Sequence, residues 1–66
     1  MDIIDFLQRA IDEEKASEAH YRRFAVDADD PETRAMFESL AEDELKHQRV
    51  LKEKMVALKL KKAKNQ

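Results

Sequence analysis

One proline and no glycine occur in the 66 residues of this chain, and this feature constrains the fold most. Because glycine and proline are the residues that interrupt helices, long helices can form on either side of Pro31. Charged residues make up 42% of the chain, and alanine, glutamate, lysine, leucine and arginine are frequent, which is typical of long helices. The sequence predicts an all-α protein with a single domain.

Apolar residues recur every three or four positions on both sides of the proline, as they do on one face of a helix. Asp2 and Asp30 are suitable N-cap residues, and Pro31 occupies a first helical position. The pattern predicts helix 1 over about residues 3–28, a turn at 29–31, helix 2 over about 32–60 and a basic tail at 61–66. The predicted interface positions are 4, 7, 11, 14, 18, 21, 25 and 28 in helix 1, and 37, 40, 44, 47, 51, 55 and 58 in helix 2.

Two such helices form an antiparallel hairpin whose apolar side nothing else in the chain covers. A chain of this length buries little surface by itself, and the absence of cysteine excludes a disulfide. The acidic first half, with ten Asp/Glu in residues 1–33, and the basic second half, with nine Lys/Arg in 34–66, attract each other. We expect two hairpins to dimerise into a ferritin-like four-helix bundle.

Charged and polar residues interrupt the apolar face where a metal site would need them. With a turn near residues 29–30, Glu14 and Glu44 lie at the same level of the hairpin, and His47 follows one turn later on the same face. Carboxylates in an apolar face need a compensating partner. Two copies bring four such carboxylates, and two divalent ions would neutralise them. Ligands of this kind suit iron or manganese, and zinc is a further candidate.

Two other residues on this face are expected to assist the metal site. Glu18 lies one turn closer to the bend than Glu14, as a residue beside the ligands or on the path of ion entry. Tyr21 follows Glu14 by seven residues, and helical side chains lean toward the N-terminus, so its ring is directed back toward that carboxylate. The sequence therefore predicts that the hydroxyl of Tyr21 hydrogen-bonds a ligand.

The order of these motifs resembles the rubrerythrin-like branch of the ferritin-like superfamily. The resemblance rests on Glu14-Lys15, Tyr21, Phe24, Asp30-Pro31-Glu32, Phe37, Leu40-Ala41 and Glu44-x-x-His47. With one helix pair instead of two, the chain is most similar to encapsulated ferritin. The resemblance implies a ferroxidase that oxidises Fe(II) with O₂ at a di-iron site between two subunits. It implies Glu14, Glu44 and His47 as iron ligands, with Tyr21 beside the centre and Glu18 near the iron entry.

The same resemblance implies the partners and the location. The partners would be a second copy of the chain, in a homodimer or a larger even-numbered oligomer, and an encapsulin shell. The location would be the cytoplasm or the inside of such a protein nanocompartment. Residues 61–66 do not resemble an encapsulin-targeting peptide, and the chain has no cysteine for a rubredoxin-type centre. A net charge of −2 and the lack of a long apolar run give no reason to expect nucleic acid or a membrane as partner.

Two alternatives remain at the level of the sequence. One is a non-catalytic helical dimerisation module in which the polar residues of the apolar face fix the register of the helices. The other is a structural metal-bound dimer, with zinc or manganese, that has no oxidation activity.

Overall fold

The computed structural model of the chain describes residues 2–64, and it is a hairpin of two antiparallel helices. Helix α1 spans Ile3–Asp27 and helix α2 spans Pro31–Lys64. The predicted all-α hairpin is confirmed. The Cα atoms extend over 55 × 18 × 10 Å, so the hairpin is about one helix thick. A layer of that thickness has two broad sides, and it buries only the contact between its two helices.

Side-chain caps fix the N-terminal ends of both helices. The Asp2 carboxylate accepts a hydrogen bond from the backbone N–H of Asp5 at 3.0 Å, and Asp30 accepts one from the N–H of Thr33 at 3.2 Å. The Thr33 hydroxyl also donates to Asp30 at 2.6 Å, and these bonds hold the pKa of Asp30 below its usual range. Pro31 follows as the first residue of α2, where no backbone donor is needed. The two caps explain where the bend lies.

Helix α2 continues further than the sequence analysis proposed. It runs through Lys64, so residues 61–64 of the predicted basic tail are helical, while residues 65–66 lie outside the described residues. Lysine and alanine are good helix formers, and lysines in the last turn interact favourably with the helix dipole. Neither helix, over residues 2–64, has a stretch apolar and long enough to cross a membrane.

The contact between the helices follows the predicted stripe in α1 but not fully in α2. All eight predicted interface positions of α1 are buried or half-buried. In α2, Ala41 and Gln48 are the most buried residues, with 0% and 3% of their surface exposed, whereas His47 is exposed. The most buried stripe alternates steps of four and three residues through 37, 41, 44, 48, 51, 55 and 58. Such alternation keeps side chains on the line that faces a neighbouring helix.

Both broad sides of the hairpin carry exposed side chains. Residues one position before an interface residue lie on one side, which we call the His47 face; it includes Phe6, Phe24, Met36, His47 and Val50, and also the exposed polar residues Glu13, His20 and Asp43. Residues one position after an interface residue lie on the other side, which we call the Arg22 edge; it comprises Arg22, Val26, Glu38 and Glu42. The ion pair between Arg22 and Glu42 at 3.3 Å spans the two helices there. The His47 face therefore combines four large apolar side chains with imidazole and carboxylate groups.

The stability of the hairpin is expected to depend on Ile11, whose side chain is 1% exposed and is the largest that is fully buried. We expect Ile11→Val to lower the free energy of unfolding by roughly 0.5–1.5 kcal/mol, because it removes a methylene group from a packed contact. Thermal unfolding followed by circular dichroism measures this, with Ile3→Val at an exposed position as the matched control. Equal effects of the two substitutions would contradict the assigned contact.

Candidate metal centre

Two carboxylates and one imidazole converge near the middle of the hairpin. Glu14 projects from α1, and Glu44 and His47 project from adjacent turns of α2. The Nδ1 atom of His47 lies 3.3 Å from Oε2 of Glu14 and 3.3 Å from Oε1 of Glu44. One ligand atom from each of the three residues lies within 4.8 Å of the other two. The residues that the sequence analysis placed at one level are therefore together in space.

The spacing of these three atoms suits a metal ion. Ligand atoms that bind one ion at about 2.1 Å are separated by at most about 4.2 Å when they lie on opposite sides of it. The 3.3 Å distances fall inside that limit, and the 4.8 Å limit needs only a small rotation of a side chain. Two carboxylates with one imidazole form a hard, oxygen-rich ligand set, which suits iron or manganese and also accepts zinc.

The group is open on one side. The two glutamates are mostly covered, but 58% of the His47 side chain is exposed. Three ligands from one chain do not fill the coordination sphere of iron or manganese, which usually takes more than four ligands. A second copy of the chain or solvent would have to supply the remaining ligands.

Proximity to Glu14 changes the protonation of Glu44. Sharing of a proton with Glu14, followed by partial burial and repulsion between the two groups, raises the pKa of Glu44 above its ordinary value of 4.5, although His47 acts in the opposite direction. A metal ion would replace this shared proton as the charge that lies between the carboxylates. Metal binding should therefore release protons, and the affinity should increase with pH.

The stability of the metal-free protein is expected to depend on pH through Glu44. Because its pKa is raised on folding, this residue stabilises the fold most below pH 4.5, and the contribution is lost as the pH rises through the folded-state pKa. Glu44→Gln imitates the protonated acid, so we expect its melting temperature to fall less than that of the wild type between pH 4.5 and pH 7. Glu53→Gln, at an exposed position, is the control. If the melting temperatures of Glu44→Gln and the wild type changed in parallel with pH, the assigned protonation of Glu44 would be wrong.

Glu18 is not part of the three-residue group. Its Oε1 atom accepts a hydrogen bond from Nε2 of Gln48 at 2.8 Å, and its Oε2 atom accepts one from Nε of Arg22 at 2.9 Å. Both bonds lower the pKa of Glu18, the bond from Gln48 more than the bond from Arg22. Arg22 continues to Glu42 on α2 at 3.3 Å. The sequence analysis assigned no role to Gln48; its place in the alternating stripe through positions 44, 48 and 51 was the signal that could have revealed it.

Tyr21 belongs to an aromatic cluster between the site and the bend. Its ring lies 6.4 Å from that of Phe24 and 6.3 Å from that of Phe37, and the two phenylalanine rings are 5.4 Å apart. Within residues 2–64, no hydrogen bond joins the Tyr21 hydroxyl to Glu14. The predicted contact with a ligand carboxylate thus stays a prediction for the metal-bound protein, whereas the packing role is evident from the geometry.

A carboxylate from one helix and a Glu-x-x-His pair from its neighbour, all directed to one level, form half of the ligand arrangement of ferritin-like helical proteins. The fold and the site thus define the class as ferritin-like. The family model described as Rubrerythrin matches residues 5–66, and the chain belongs to the rubrerythrin family. Searches of curated proteins and of solved structures found no match.

Proposed function

We propose that this protein is a ferroxidase of the encapsulated-ferritin kind, which binds Fe(II) as substrate and oxidises it with O₂ at a di-iron site between two subunits. The observation that carries the proposal is the convergence of Glu14, Glu44 and His47 within 4.8 Å on an open face. Membership in the rubrerythrin family supports iron as the metal.

The proposed second subunit is another copy of this chain. The His47 face carries exposed large apolar side chains as well as the exposed imidazole, and a two-fold axis through this face would bring the two ligand groups together. The combined site would hold four carboxylates and two neutral imidazoles. The charge of −4 from the carboxylates would be balanced by two divalent ions, so that no net charge is buried. One chain alone supplies neither the second ligand group nor the cover for the apolar face.

The residues of the chain have distinct tasks in the proposed reaction. Glu14 and Glu44 from both subunits would bind and neutralise the two Fe(II) ions, and the two His47 side chains would supply the nitrogen ligands. Each Fe(II) loses one electron, and O₂ takes up two electrons and two protons to give hydrogen peroxide. Carboxylates suit this chemistry because they can change their binding mode as the charge on iron increases.

The test is the anaerobic addition of Fe(II) to the metal-free protein, followed by air, while absorbance and oligomer mass are recorded together. We expect uptake of one iron per chain, a shift of the mass to an even-numbered assembly, and oxidation faster than in buffer alone. Glu14→Gln should abolish all three responses. Glu38→Gln, at an exposed position on the Arg22 edge, should abolish none of them.

Two other outcomes would select a different function. Iron binding without accelerated oxidation would identify a structural metal-bound dimer. No binding would mean that the contacts of His47 with Glu14 and Glu44 at 3.3 Å serve only to fix the register of a dimerisation module. In either case the ferroxidase proposal would fail.

A further inference from the structure

Glu18 is a ligand-type residue one helical turn from Glu14 that does not take part in the candidate site. It lies four residues after Glu14, so the two carboxylates occupy adjacent turns on the same face of α1. Carboxylates at this spacing can bind the same metal cluster. Glu18 is nevertheless absent from the group that contains Glu14, Glu44 and His47, and both of its oxygens accept hydrogen bonds from other residues.

Of the two donors to Glu18, Gln48 is the one that the packing holds in place. Its residue surface is 3% exposed, whereas Arg22 is exposed and contacts Glu42 as well. A buried amide is costly unless it is hydrogen-bonded, and the 2.8 Å bond to Glu18 is charge-assisted. Gln48 follows Glu44 by four residues, so a single face of α2 carries both a ligand of the candidate site and the residue that restrains Glu18.

The number of carboxylates in the site determines the charge of the metal ion that would neutralise it. Glu14 and Glu44 contribute −2 per chain, which one divalent ion neutralises. If Glu18 joined them, each chain would contribute −3, which one trivalent ion neutralises. Affinity for hard cations depends strongly on the number of charged ligands. A site that included Glu18 would retain Fe(III), the product of the proposed reaction, more strongly than Fe(II).

We propose that Gln48 is a positioning residue that keeps Glu18 out of the ligand set and thereby makes the site selective for divalent over trivalent ions. The inference rests on the proposed function, since it concerns the same metal site. It assigns to the buried amide the task of allowing the ferric product to leave. Glu18 then acts as a restrained neighbour of the site and not as a ligand.

The test is competition between Co²⁺ and Tb³⁺ for the full-length protein, measured as metal content after equilibrium dialysis. We expect Gln48→Met to shift the binding ratio toward Tb³⁺ by about tenfold, since one carboxylate per chain becomes available. The double variant Glu18→Gln/Gln48→Met should restore the wild-type ratio, because the released carboxylate is absent. Glu18→Gln alone should leave the ratio and the Co²⁺ affinity unchanged. Gln8→Met, at an exposed position, is the matched control.

Three results would overturn the inference. The first is a Gln48→Met variant that melts at a lower temperature but keeps the wild-type ion ratio, because the amide would then be structural only. The second is a loss of Co²⁺ affinity in Glu18→Gln, because Glu18 would then be a ligand. The third is wild-type protein that binds neither ion, which would overturn the proposed function together with this inference. The first two leave the proposed function intact.

A replacement for Gln48→Met is available if that variant does not fold. Arg22→Met removes the second donor to Glu18 from an exposed position, so the fold should tolerate it. We expect the ion ratio of Arg22→Met to shift in the same direction, toward Tb³⁺, by a smaller factor. An unchanged ratio in that variant would contradict the proposed restraint of Glu18.

Discussion

Replacing His47 with alanine is expected to reduce the rate of Fe(II) oxidation at least about 100-fold, since removal of residues that merely orient metal ligands already costs 10–100-fold. The same substitution should barely change the melting temperature of the metal-free protein. The side chain is 58% exposed, and its contacts with two carboxylates at 3.3 Å lie at the edge of the hairpin. Loss of activity without loss of fold is the result that a ligand, and not a packing residue, should give.

His20→Ala is the matched control, because His20 is the other histidine of the chain, is exposed on α1 and is not a member of the three-residue group. The two variants are compared by stopped-flow absorbance after mixing of Fe(II)-loaded protein with oxygenated buffer, and by thermal unfolding without metal. Equal oxidation rates in His47→Ala and the wild type would remove His47 from the site. Equal losses in both histidine variants would indicate an indirect effect on assembly.

The hairpin could be predicted from the sequence because its local signals agree. The absence of glycine, the cap residues Asp2 and Asp30 and the position of Pro31 all indicate two helices with one bend. In α1, alternating steps of three and four residues account for every interface position from Ile4 to Ala28. Agreement among capping, propensity and periodicity is what makes such a prediction secure.

The residues of α2 that contact α1 were harder to predict, because two different sets of α2 positions fit a helical spacing. Leu40, Glu44 and His47 fit one helical line, whereas Ala41, Glu44 and Gln48 fit a second line that shares Glu44 and is rotated by roughly 65°. Hydrophobicity favours the first line, since glutamine is rarely buried. The structure adopts the second for its closest contact, because Ala41 allows the helices to approach and the Gln48 amide finds a charged partner in Glu18.

The three residues of the candidate site could be found by counting from the bend. The hydrogen bonds and packing of the neighbouring residues could not be found in this way. Glu14 and Glu44 lie equally far from the turn, and that relation survives small errors in the helix ends. The role of Glu18 depends on whether a donor faces it from the other helix, which depends on the rotation of α2. For the same reason, the sequence indicates that Tyr21 lies near the site but not that it stacks beside Phe24 and Phe37.

The proposed dimer gives the last prediction, which separates assembly from ligand chemistry. Val50 lies three residues after His47 on the same face and is 65% exposed in the hairpin. Replacing Val50 leaves the three proposed ligands unchanged. Val50→Glu would bury an unpaired carboxylate in each subunit of a symmetric dimer. Two such penalties should weaken the dimer about 1,000-fold or more. We expect Val50→Glu to remain monomeric at micromolar concentration and to lose the accelerated oxidation of Fe(II).

Val26→Glu is the matched control for Val50→Glu. Val26 is 78% exposed and lies on the Arg22 edge, so the same change in charge and size falls outside the proposed interface. Oligomer mass and oxidation rate are measured together in both variants at equal concentrations. An added carboxylate near the site attracts Fe(II), so repulsion of the substrate cannot account for loss of activity in Val50→Glu. A Val50→Glu monomer with full oxidation would show that one hairpin is sufficient, and a Val26→Glu monomer would assign the interface to the other edge.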